Sequence, residues 1–332
     1  MNLQLAIHSS PRFATWMWIP DWHLLIDAGD GATQHLGYKI RKIDTVALTH
    51  AHRDHIGGLL QVVNQRGEAG NFAVAHPCGS RSFKQLENFA SVFNPGSSWR
   101  ATWHALEEGD SLQTGDTPDR VLKAFRTRHY LDDNLENAPR SLGFHLLWRK
   151  QKVRPEYRDL SQKELDEVRR EIGQKATDSP KMRDLPLAER DSLAIQIGRE
   201  GITEPVDEKW VSIGGDGEPL DPDEVRGTKL LLHEATFLCA EDRDSGDDEE
   251  AEPTHGHVHS TVEEALRVAQ IALVENVVLY HISTRYTDAQ IRDDIRGVAQ
   301  SLNFRGRIWP VLPRRVHWNL LGEKPVWESS SN

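Results

Sequence analysis

The stretch that decides the fold is Thr49-His50-Ala51-His52-Arg53-Asp54-His55-Ile56-Gly57-Gly58-Leu59. Three histidines and Asp54 in this stretch carry imidazole nitrogens and carboxylate oxygens, which are suitable ligands for zinc and similar divalent metals. Four ligands within six residues can face one locus only where the backbone is irregular, and Gly57-Gly58 supplies that freedom. The apolar segment 43–49 predicts a strand that ends at His50. The motif therefore indicates a metal site at the end of a strand.

Length and composition are typical of a soluble globular protein. The 332 residues allow one large α/β domain or two smaller ones. No apolar run approaches the roughly 20 residues that span a bilayer, and Met1-Asn2-Leu3-Gln4 lacks the basic start of a signal peptide. Cys78 and Cys239 show no disulfide or metal spacing, so we expect a reduced, cytoplasmic setting without a membrane partner.

The charge distribution marks two segments. The net charge of −11 argues against a general nucleic-acid coat protein, because phosphate binding needs clustered Lys and Arg. Acidic residues predict a mobile loop at about 241–254. The polar, highly charged segment 149–206 predicts an inserted arm or a helical layer. Five basic residues within 149–158 are expected either to contact nucleic acid or to form a solvated strand end.

Four strand ends carry a histidine or an acid, namely His50, Asp216, Glu234 and His281. Functional groups of α/β sheets collect beyond the carboxyl ends of strands, so the sequence predicts an α/β fold with one shared site. The expected strands are about 3–7, 13–19, 24–27, 43–49, 121–126, 142–148, 210–213, 229–233 and 276–280. The expected helices are about 59–65, 161–172, 260–275 and 288–302, and capping boxes at Ser161 and Ser260 would open two of them.

The histidine motif and several further segments together resemble a known protein family. The motif resembles that of metallo-β-lactamase-fold hydrolases, which implies an αββα sandwich. Ordered matches then resemble ribonuclease Z, the tRNA 3′ processing endoribonuclease. They are Leu25 to Gln34, His233-Glu234-Ala235-Thr236-Phe237, His259-Ser260-Thr261 and Tyr280 to Tyr286. The resemblance covers most of residues 20–290. It implies that 1–332 form a single domain of this fold, with the insert at about 149–206 and the acidic loop at about 241–254.

The resemblance also implies two divalent metal ions, zinc or alternatively manganese. The first ion would be held by His50, His52 and His129, the second by Asp54, His55 and His281, and Asp216 would bridge the two. A bridging carboxylate and a shared water hold two cations about 3.5–4 Å apart, and the resulting hydroxide would attack phosphorus in line. Asp54 would also orient this nucleophile.

Other residues compete for some of these roles. A lone histidine such as His129 is usually structural, although its position fits the third motif of the family. Asp116 competes with Asp216, but it precedes His129, whereas the bridging aspartate of the family follows the third motif. We therefore interpret Asp116 as part of a hairpin turn. Asp27 is expected to be a structural acid behind the metals.

The resemblance assigns Glu234 and His259 to the protonation of the leaving 3′ oxygen, because a carboxylate raises the pKa of a histidine that it holds. The alternative interpretation is that Glu234 has no catalytic role and only accepts a hydrogen bond from a metal ligand. The nearby His255 and His257 are expected to be loop residues, since only His259 is followed by Ser-Thr.

Several features depart from ribonuclease Z. Segment 149–206 lacks the Gly- and Pro-rich arm that grips tRNA. Ala28 and Asp30 replace the Cys and Glu of the family, and Gly217 replaces its Thr. Three hypotheses therefore stay open: an RNA phosphodiesterase, a small-molecule metallo-hydrolase acting on cyclic nucleotides, other phosphodiesters, lactones or thioesters, and a non-catalytic binding protein. A homodimer is a further open alternative.

Overall fold

The structure is a computed structural model that describes residues 3–93, 96, 100–115, 117–130, 141–178, 185–244 and 258–329. The chain separates into two compact units. The first comprises Met1–Leu147 and Lys209–Asn332, and the second comprises Trp148–Glu208. Every residue that the sequence assigns to the site belongs to the first unit, so the fold of that unit positions the site.

The first sheet consists of six described strands. They are β1 (Ala6–Ser10), β2 (Ala14–Ile19), β3 (Leu24–Ile26), β4 (Thr45–Ala47), β5 (Phe72–Pro77) and β6 (Ala101–Leu106). They follow one another in sequence order; β1, β2 and β3 are antiparallel neighbours, and β3 to β6 are parallel. Both faces of the sheet are covered, which is why β2 is apolar or buried at all six positions.

The second sheet consists of eight described strands. They are β7 (Ser111–Gln113), β8 (Arg120–Arg126), β9 (Leu142–Val153), β10 (Thr203–Ile213), β11 (Leu230–Glu234), β12 (Asn276–Tyr280), β13 (Arg307–Pro310) and β14 (Trp327–Glu328). The order is β14-β13-β12-β11-β10-β9-β8-β7, and β10 to β13 are parallel. Their carboxyl ends therefore meet at one edge.

The described part of the chain contains ten α-helices. They are α1 (Ala32–Leu36), α2 (Arg53–Ile56), α3 (Leu59–Ala69), α4 (Arg81–Phe93), α5 (Gln162–Thr177), α6 (Leu187–Ile202), α7 (Pro222–Val225), α8 (Ala240–Asp244), α9 (Val262–Ile271) and α10 (Asp288–Ser301). Among the described residues, every helix is too short or too polar to span a bilayer.

Three apolar clusters order the layers of the first unit. One lies between the two sheets and includes Met17, Phe144 and Val278. A second joins the first sheet to α1, α3 and α4, and a third joins the second sheet to α7, α9 and α10. The resulting order, helix, sheet, sheet, helix, confirms the predicted α/β class with an αββα sandwich.

Several predicted boundaries need correction. β1 begins at Ala6 rather than at Leu3. The N-cap of α9 is Thr261, one residue after the predicted Ser260, because the hydroxyl of Ser260 donates instead to the Gly217 carbonyl. The same helix ends at Ile271 rather than near residue 275, since Leu273 adopts a left-handed backbone with φ 60°.

The expected acidic loop is described only at its start. There, residues 240–244 form the short helix α8, so the loop does not begin at 241. Residues 245–254 lie outside the described residues.

The second unit contains α5 and α6, which pack against each other. The predicted capping box at Ser161 is confirmed, with Glu164 as its partner. Between residues 148 and 208 the sequence has 13 Lys and Arg and 14 Asp and Glu, so this unit has no excess of positive charge.

Four of the five basic residues of 149–158 form ion pairs inside the second unit, and the fifth, Arg154, donates to the Thr203 carbonyl. The pairs are Arg149 with Asp207, Lys150 and Lys152 with Glu208 (each 2.8 Å), and Arg158 with Glu204 (3.6 Å). Their charge is therefore largely balanced by carboxylates on β10.

Candidate metal centre

The candidate ligands lie at the carboxyl ends of strands from both sheets. In the second sheet, Asp216, Glu234 and His281 follow or close the parallel neighbours β10, β11 and β12. In the first sheet, β4 leads into His50, and α2 then carries Asp54 and His55. The sandwich brings these two edges together, because its two sheets share one core.

Two groups of potential ligands form around Asp216. In each group, the ligand atoms lie within 4.8 Å of one another. One group is His50, His52 and His129; the other is Asp54, His55 and His281. Asp216 itself groups with His50 and His55. The structure therefore brings all seven predicted ligands into one cluster.

Asp216 lies between the two groups. Its Oδ2 is 3.1 Å from Nε2 of His55, 3.1 Å from Nε2 of His281 and 3.8 Å from Nε2 of His50. Its side chain is 2% exposed. A single carboxylate that is central to ligands of both groups has the position that a bridging ligand requires.

Four of the imidazoles are held through Nδ1. His50 Nδ1 is 3.0 Å from Thr49 Oγ1, and His55 Nδ1 is 2.7 Å from Asp27 Oδ2. His281 Nδ1 is 3.0 Å from Thr236 Oγ1, and His129 Nδ1 is 3.2 Å from the Val258 carbonyl. Such contacts fix ring orientation and direct Nε2 towards a metal.

Asp27 has the structural position expected for it. It accepts hydrogen bonds from the backbone N–H of Thr49 (2.8 Å) and from the Thr49 hydroxyl, in addition to its contact with His55. It is buried and has a left-handed backbone, with φ 55°. Asp27 thus fixes the two ends of the motif relative to each other.

Buried polar atoms in this cluster fit divalent cations. His50 Nε2 and Asp216 Oδ1 are buried and have no hydrogen-bond partner among the described residues. His129 Nε2 faces His52 Nδ1 at 3.1 Å. Burying an acceptor atom without a donor costs free energy, and a divalent cation bound between these atoms would give each of them a partner.

The electrostatics of the cluster favour the ligand forms of four of these groups, whereas the surrounding carboxylates Asp216, Asp27 and Asp54 outweigh burial and raise the pKa of His55 well above its usual value. Burial, reinforced by neighbouring histidines, lowers the pKa of His50 and His129 well below the usual value, which keeps both imidazoles neutral. Burial alone would raise the pKa of Asp54 and Asp216, but His55 and His281 lower it further than burial raises it. Neutral imidazoles and ionised carboxylates are the forms that bind metals.

Glu234 and His259 form a pair beside the cluster. His259 Nδ1 lies 3.1 Å from Glu234 Oε1. Burial lowers the pKa of His259, but the charge and hydrogen bond of Glu234 outweigh it, so the pKa is raised overall. The His259 ring stacks on His281 at 5.4 Å and meets His129 at 5.1 Å. The pair is therefore in contact with both ligand groups.

Glu234 is fixed by several donors. Its Oε1 accepts from the backbone N–H groups of Ser260 (2.9 Å) and Gly217 (3.2 Å), and its Oε2 accepts from the backbone and hydroxyl of Thr236 (2.8 and 2.9 Å). Gly217 is required here, because a Cβ would lie 2.5 Å from the Arg128 carbonyl and φ is 150°. The departure from the Thr of ribonuclease Z therefore has a local steric cause.

The sequence analysis missed the role of Thr236. Its Oγ1 lies 3.1 Å from His259 Nδ1 and 3.0 Å from His281 Nδ1, and it donates to Glu234. One hydroxyl thus connects the pair to a ligand of the second group. The available signals were its place two residues after Glu234 and its inclusion in the family-like segment His233-Glu234-Ala235-Thr236-Phe237.

The turn between β1 and β2 was also missed. The backbone N–H of Arg12 donates to Asp54 Oδ2 (3.0 Å), and the Arg53 guanidinium donates to the Arg12 carbonyl (2.8 Å). Ser9 Oγ accepts from the backbone N–H of His281 (3.1 Å). These contacts join positions that are far apart in sequence, so no local pattern could reveal them.

Comparison with known proteins agrees with this geometry. Residues 23–153 match the Beta-lactamase superfamily domain. Within the matched range lie the histidine motif and His129; Asp216, Glu234, His259 and His281 follow it.

Curated relatives extend the similarity beyond residue 153. Ribonuclease Z of Methanopyrus kandleri is 26% identical over 278 residues, which cover 83% of this chain and 82% of the relative. Ribonuclease Z of Saccharolobus solfataricus is 27% identical over 302 residues, which cover 88% of this chain and 87% of the relative.

Solved structures show the same fold. The metallo-β-lactamase fold protein YhfI from Bacillus subtilis superposes with a TM-score of 0.54 at 14% identity, covering 95% of this chain and 99% of YhfI. The short form of human tRNase Z superposes with a TM-score of 0.51 at 16% identity, covering 94% of this chain and 98% of the human chain. The predicted metallo-β-lactamase fold is confirmed.

Three residues that the sequence analysis considered lie outside the described residues. They are Asp116, the alternative to Asp216, and His255 and His257, which were expected to be loop residues. The position of Asp216 amid both ligand groups supports the choice of Asp216.

Proposed function

We propose that this Beta-lactamase superfamily protein is a metal-dependent phosphodiesterase, an endoribonuclease of ribonuclease Z type that cuts precursor tRNA 3′ of the tRNA body. The observation that carries this proposal is the Glu234–His259 pair in contact with both ligand groups. A carboxylate-held imidazole beside a metal cluster suits the expulsion of a poor leaving group such as a ribose 3′ oxygen. The relatives named Ribonuclease Z support the same activity.

In this proposal, His50, His52 and His129 hold one divalent ion, and Asp54, His55 and His281 hold a second, with Asp216 shared. The ions are zinc or alternatively manganese. Bound divalent ions would supply Lewis-acid stabilisation of phosphoryl oxygens and a water of lowered pKa. The unpartnered buried atoms of His50 and Asp216 support this ligand set.

The chain's own groups would complete the chemistry. Asp54, held by the Arg12 amide, would orient the attacking water as well as bind metal. His259 would donate the proton from Nε2, because its Nδ1 faces Glu234 and Thr236. Glu234 would stabilise the protonated imidazole before transfer, and Asp27 would keep His55 oriented.

A second candidate is a small-molecule phosphodiesterase of the same fold. It is favoured by the second unit, whose basic stretch is paired with carboxylates and whose acids slightly outnumber its bases. That unit therefore presents no excess positive charge for binding tRNA.

The deciding experiment compares two substrates with purified protein supplied with zinc or manganese. One is a tRNA precursor with a 3′ trailer, analysed by mapping the product ends; the other is bis(p-nitrophenyl) phosphate. Cleavage after the tRNA body supports the ribonuclease Z activity. Hydrolysis of the small ester without RNA cleavage supports the second candidate, and no hydrolysis of either refutes the phosphodiesterase. A cytoplasmic location and a homodimer stay predictions.

A further inference from the structure

A surface patch of the first unit combines exposed aromatic rings with cations that no carboxylate of the described residues pairs with. We define it by Tyr38, Lys39, Arg41, Lys42 and Trp318. Tyr38 is 87% exposed and Trp318 is 47% exposed, although large aromatic side chains are normally mostly buried. The first four residues lie on one 3-10 segment, Gly37–Lys42, and Trp318 joins them from the C-terminal part of the chain.

Rings and cations are interleaved in this patch. Lys39 Nζ lies 4.7 Å from the centre of the Trp318 ring, and the Arg41 guanidinium lies 5.7 Å from the centre of the Tyr38 ring. Such contacts attract a cation to the face of each ring and help to hold the ring in place. Tyr38 and Arg41 also line a cavity of about 420 Å³ that contains Glu68.

The cations of the patch differ from those of the second unit. Among the described residues, no carboxylate forms an ion pair with Lys39, Arg41 or Lys42. In contrast, Arg149, Lys150, Lys152 and Arg158 are each paired with an acid. In a protein with a net charge of −11, a segment with three cations that no described carboxylate pairs with, two of them against exposed rings, indicates an anionic, ring-containing partner.

The patch connects to the candidate metal centre through β1. His317, which precedes Trp318, exchanges two backbone hydrogen bonds of 2.9 Å with Ile7. Three residues further along β1, about 10 Å at the usual rise, lies Ser10. The adjacent Ser9 accepts from His281, and the turn that follows contacts Asp54. A strand bound at the patch could therefore continue into the site.

We propose that this patch binds single-stranded nucleic acid and guides it to the metal centre, an inference that rests on the proposed phosphodiesterase function. Tyr38 and Trp318 stack on unpaired bases, and Lys39, Arg41 and Lys42 contact the phosphates. This combination of a cationic surface and stacking rings is how proteins hold single strands without sequence preference. Segment 149–158 was expected either to contact nucleic acid or to form a solvated strand end, and four of its cations are paired with acids.

The test measures the affinity of the full-length, metal-loaded protein for a fluorescein-labelled oligoadenylate RNA of about 12 nucleotides, a length within typical single-strand sites. Anisotropy is recorded at several salt concentrations, and a gel checks that the probe stays intact. The patch variant combines Lys39→Ala, Arg41→Ala and Lys42→Ala. A matched control, Arg149→Gln with Lys150→Gln and Arg158→Gln, removes the same charge.

The patch variant should lose about 10- to 100-fold in affinity near 0.1 M salt, and the slope of log affinity against log salt should fall by about 2. The charge control should change affinity less than about twofold. Trp318→Ala should lose about 5- to 150-fold, the range for one stacked base. Its control is Phe93→Ala, which truncates an exposed ring on α4.

Three results would overturn the patch proposal. They are equal losses in the patch variant and the charge control, unchanged binding in the patch variant, and a changed oligomeric state in gel filtration without a change in RNA affinity. Hydrolysis of bis(p-nitrophenyl) phosphate separates this failure from that of the proposed function. If the wild-type protein hydrolyses the ester but the patch variant binds RNA as tightly as wild type, only the patch proposal is refuted. If the patch variant loses RNA affinity but the wild-type protein hydrolyses no phosphodiester, only the proposed function is refuted.

Discussion

Replacing His259 by alanine should impair substrates according to how much their leaving group needs a proton. A ribose 3′ oxygen is a poor leaving group that needs one, whereas a nitrophenolate hardly does. If His259 is the proton donor, His259→Ala removes the acid and leaves the nucleophile and the ligands in place. The defect should therefore be large on RNA and small on a nitrophenyl ester.

The structure sets the size of the effect. General acid catalysis contributes about 10²–10⁴-fold, and the Nδ1 contacts with Glu234 and Thr236 already orient the His259 ring, so its full contribution is available. Glu234 keeps its donors from Gly217, Ser260 and Thr236 when the ring is removed. The carboxylate should therefore stay in place, and we expect a loss of about 10²–10⁴-fold on RNA.

The assay measures kcat/KM of wild type and variant on an RNA or dinucleotide substrate and on bis(p-nitrophenyl) phosphate, together with metal content. Metal content matters because the ring contacts the ligands His129 and His281. An equal loss on both substrates, or loss of metal, would refute the proton-donor role and leave the pair as structural support for the ligands.

Glu234→Gln should disturb buried hydrogen bonds in addition to removing a negative charge. The carboxylate accepts hydrogen bonds at both oxygens, so an amide NH₂ would face the N–H donors of Thr236 or of Ser260 and Gly217. An unsatisfied buried donor costs about 1–3 kcal/mol. We expect the same substrate selectivity as His259→Ala, weaker in size, with a lower melting temperature. An unchanged melting temperature would contradict this hydrogen-bond arrangement.

Three further predictions concern metals, the nucleophile and stability. Metal analysis of freshly purified protein should find about two divalent ions per chain; a value near zero that zinc and manganese fail to raise contradicts the ligand set. Asp54→Ala should nearly abolish activity while circular dichroism stays native, and wild-type turnover would mean that the centre is misplaced. Burial and the charge of Asp242 raise the pKa of Asp294 to about 6. The folded state therefore holds this proton more tightly than the unfolded state, and the contribution of Asp294 to the free energy of unfolding falls as pH rises from about 4 through 6. Asp294→Asn should therefore raise the melting temperature at about pH 7 and change it little near pH 4; the reverse order would refute the assignment.

The sequence determined the chemistry and the layer order. The candidate metal ligands cluster within Thr49 to Leu59 because the short helix α2 follows closely after β4, so their spacing in the sequence reveals them. The alternation of apolar strands and helices predicted the α/β class, since each element must bury an apolar face, and the resemblance to metallo-β-lactamase-fold hydrolases implied the αββα sandwich. His129, Asp216 and His281 were found by their place after strands and by resemblance to a family.

The first residue of a helix was harder to predict where a side chain could either cap the helix or form a tertiary hydrogen bond. Ser260 matches a capping box in sequence, yet its hydroxyl bonds to Gly217 and the cap moves to Thr261. Local propensity cannot decide such a competition, because the Gly217 carbonyl reaches Ser260 only in the folded chain.

Only the tertiary structure decided which charges are free and which groups support the ligands. Segment 149–158 looked like a nucleic-acid contact, but acids of β10 pair with its cations. The Arg12 amide reaches Asp54, and Thr236 joins Glu234 to His281. These partners come from elements that are distant in sequence, and hydrogen bonds and ion pairs act over a few ångströms in space. A linear pattern of residue types therefore records the ligands but not the neighbours that orient or neutralise them.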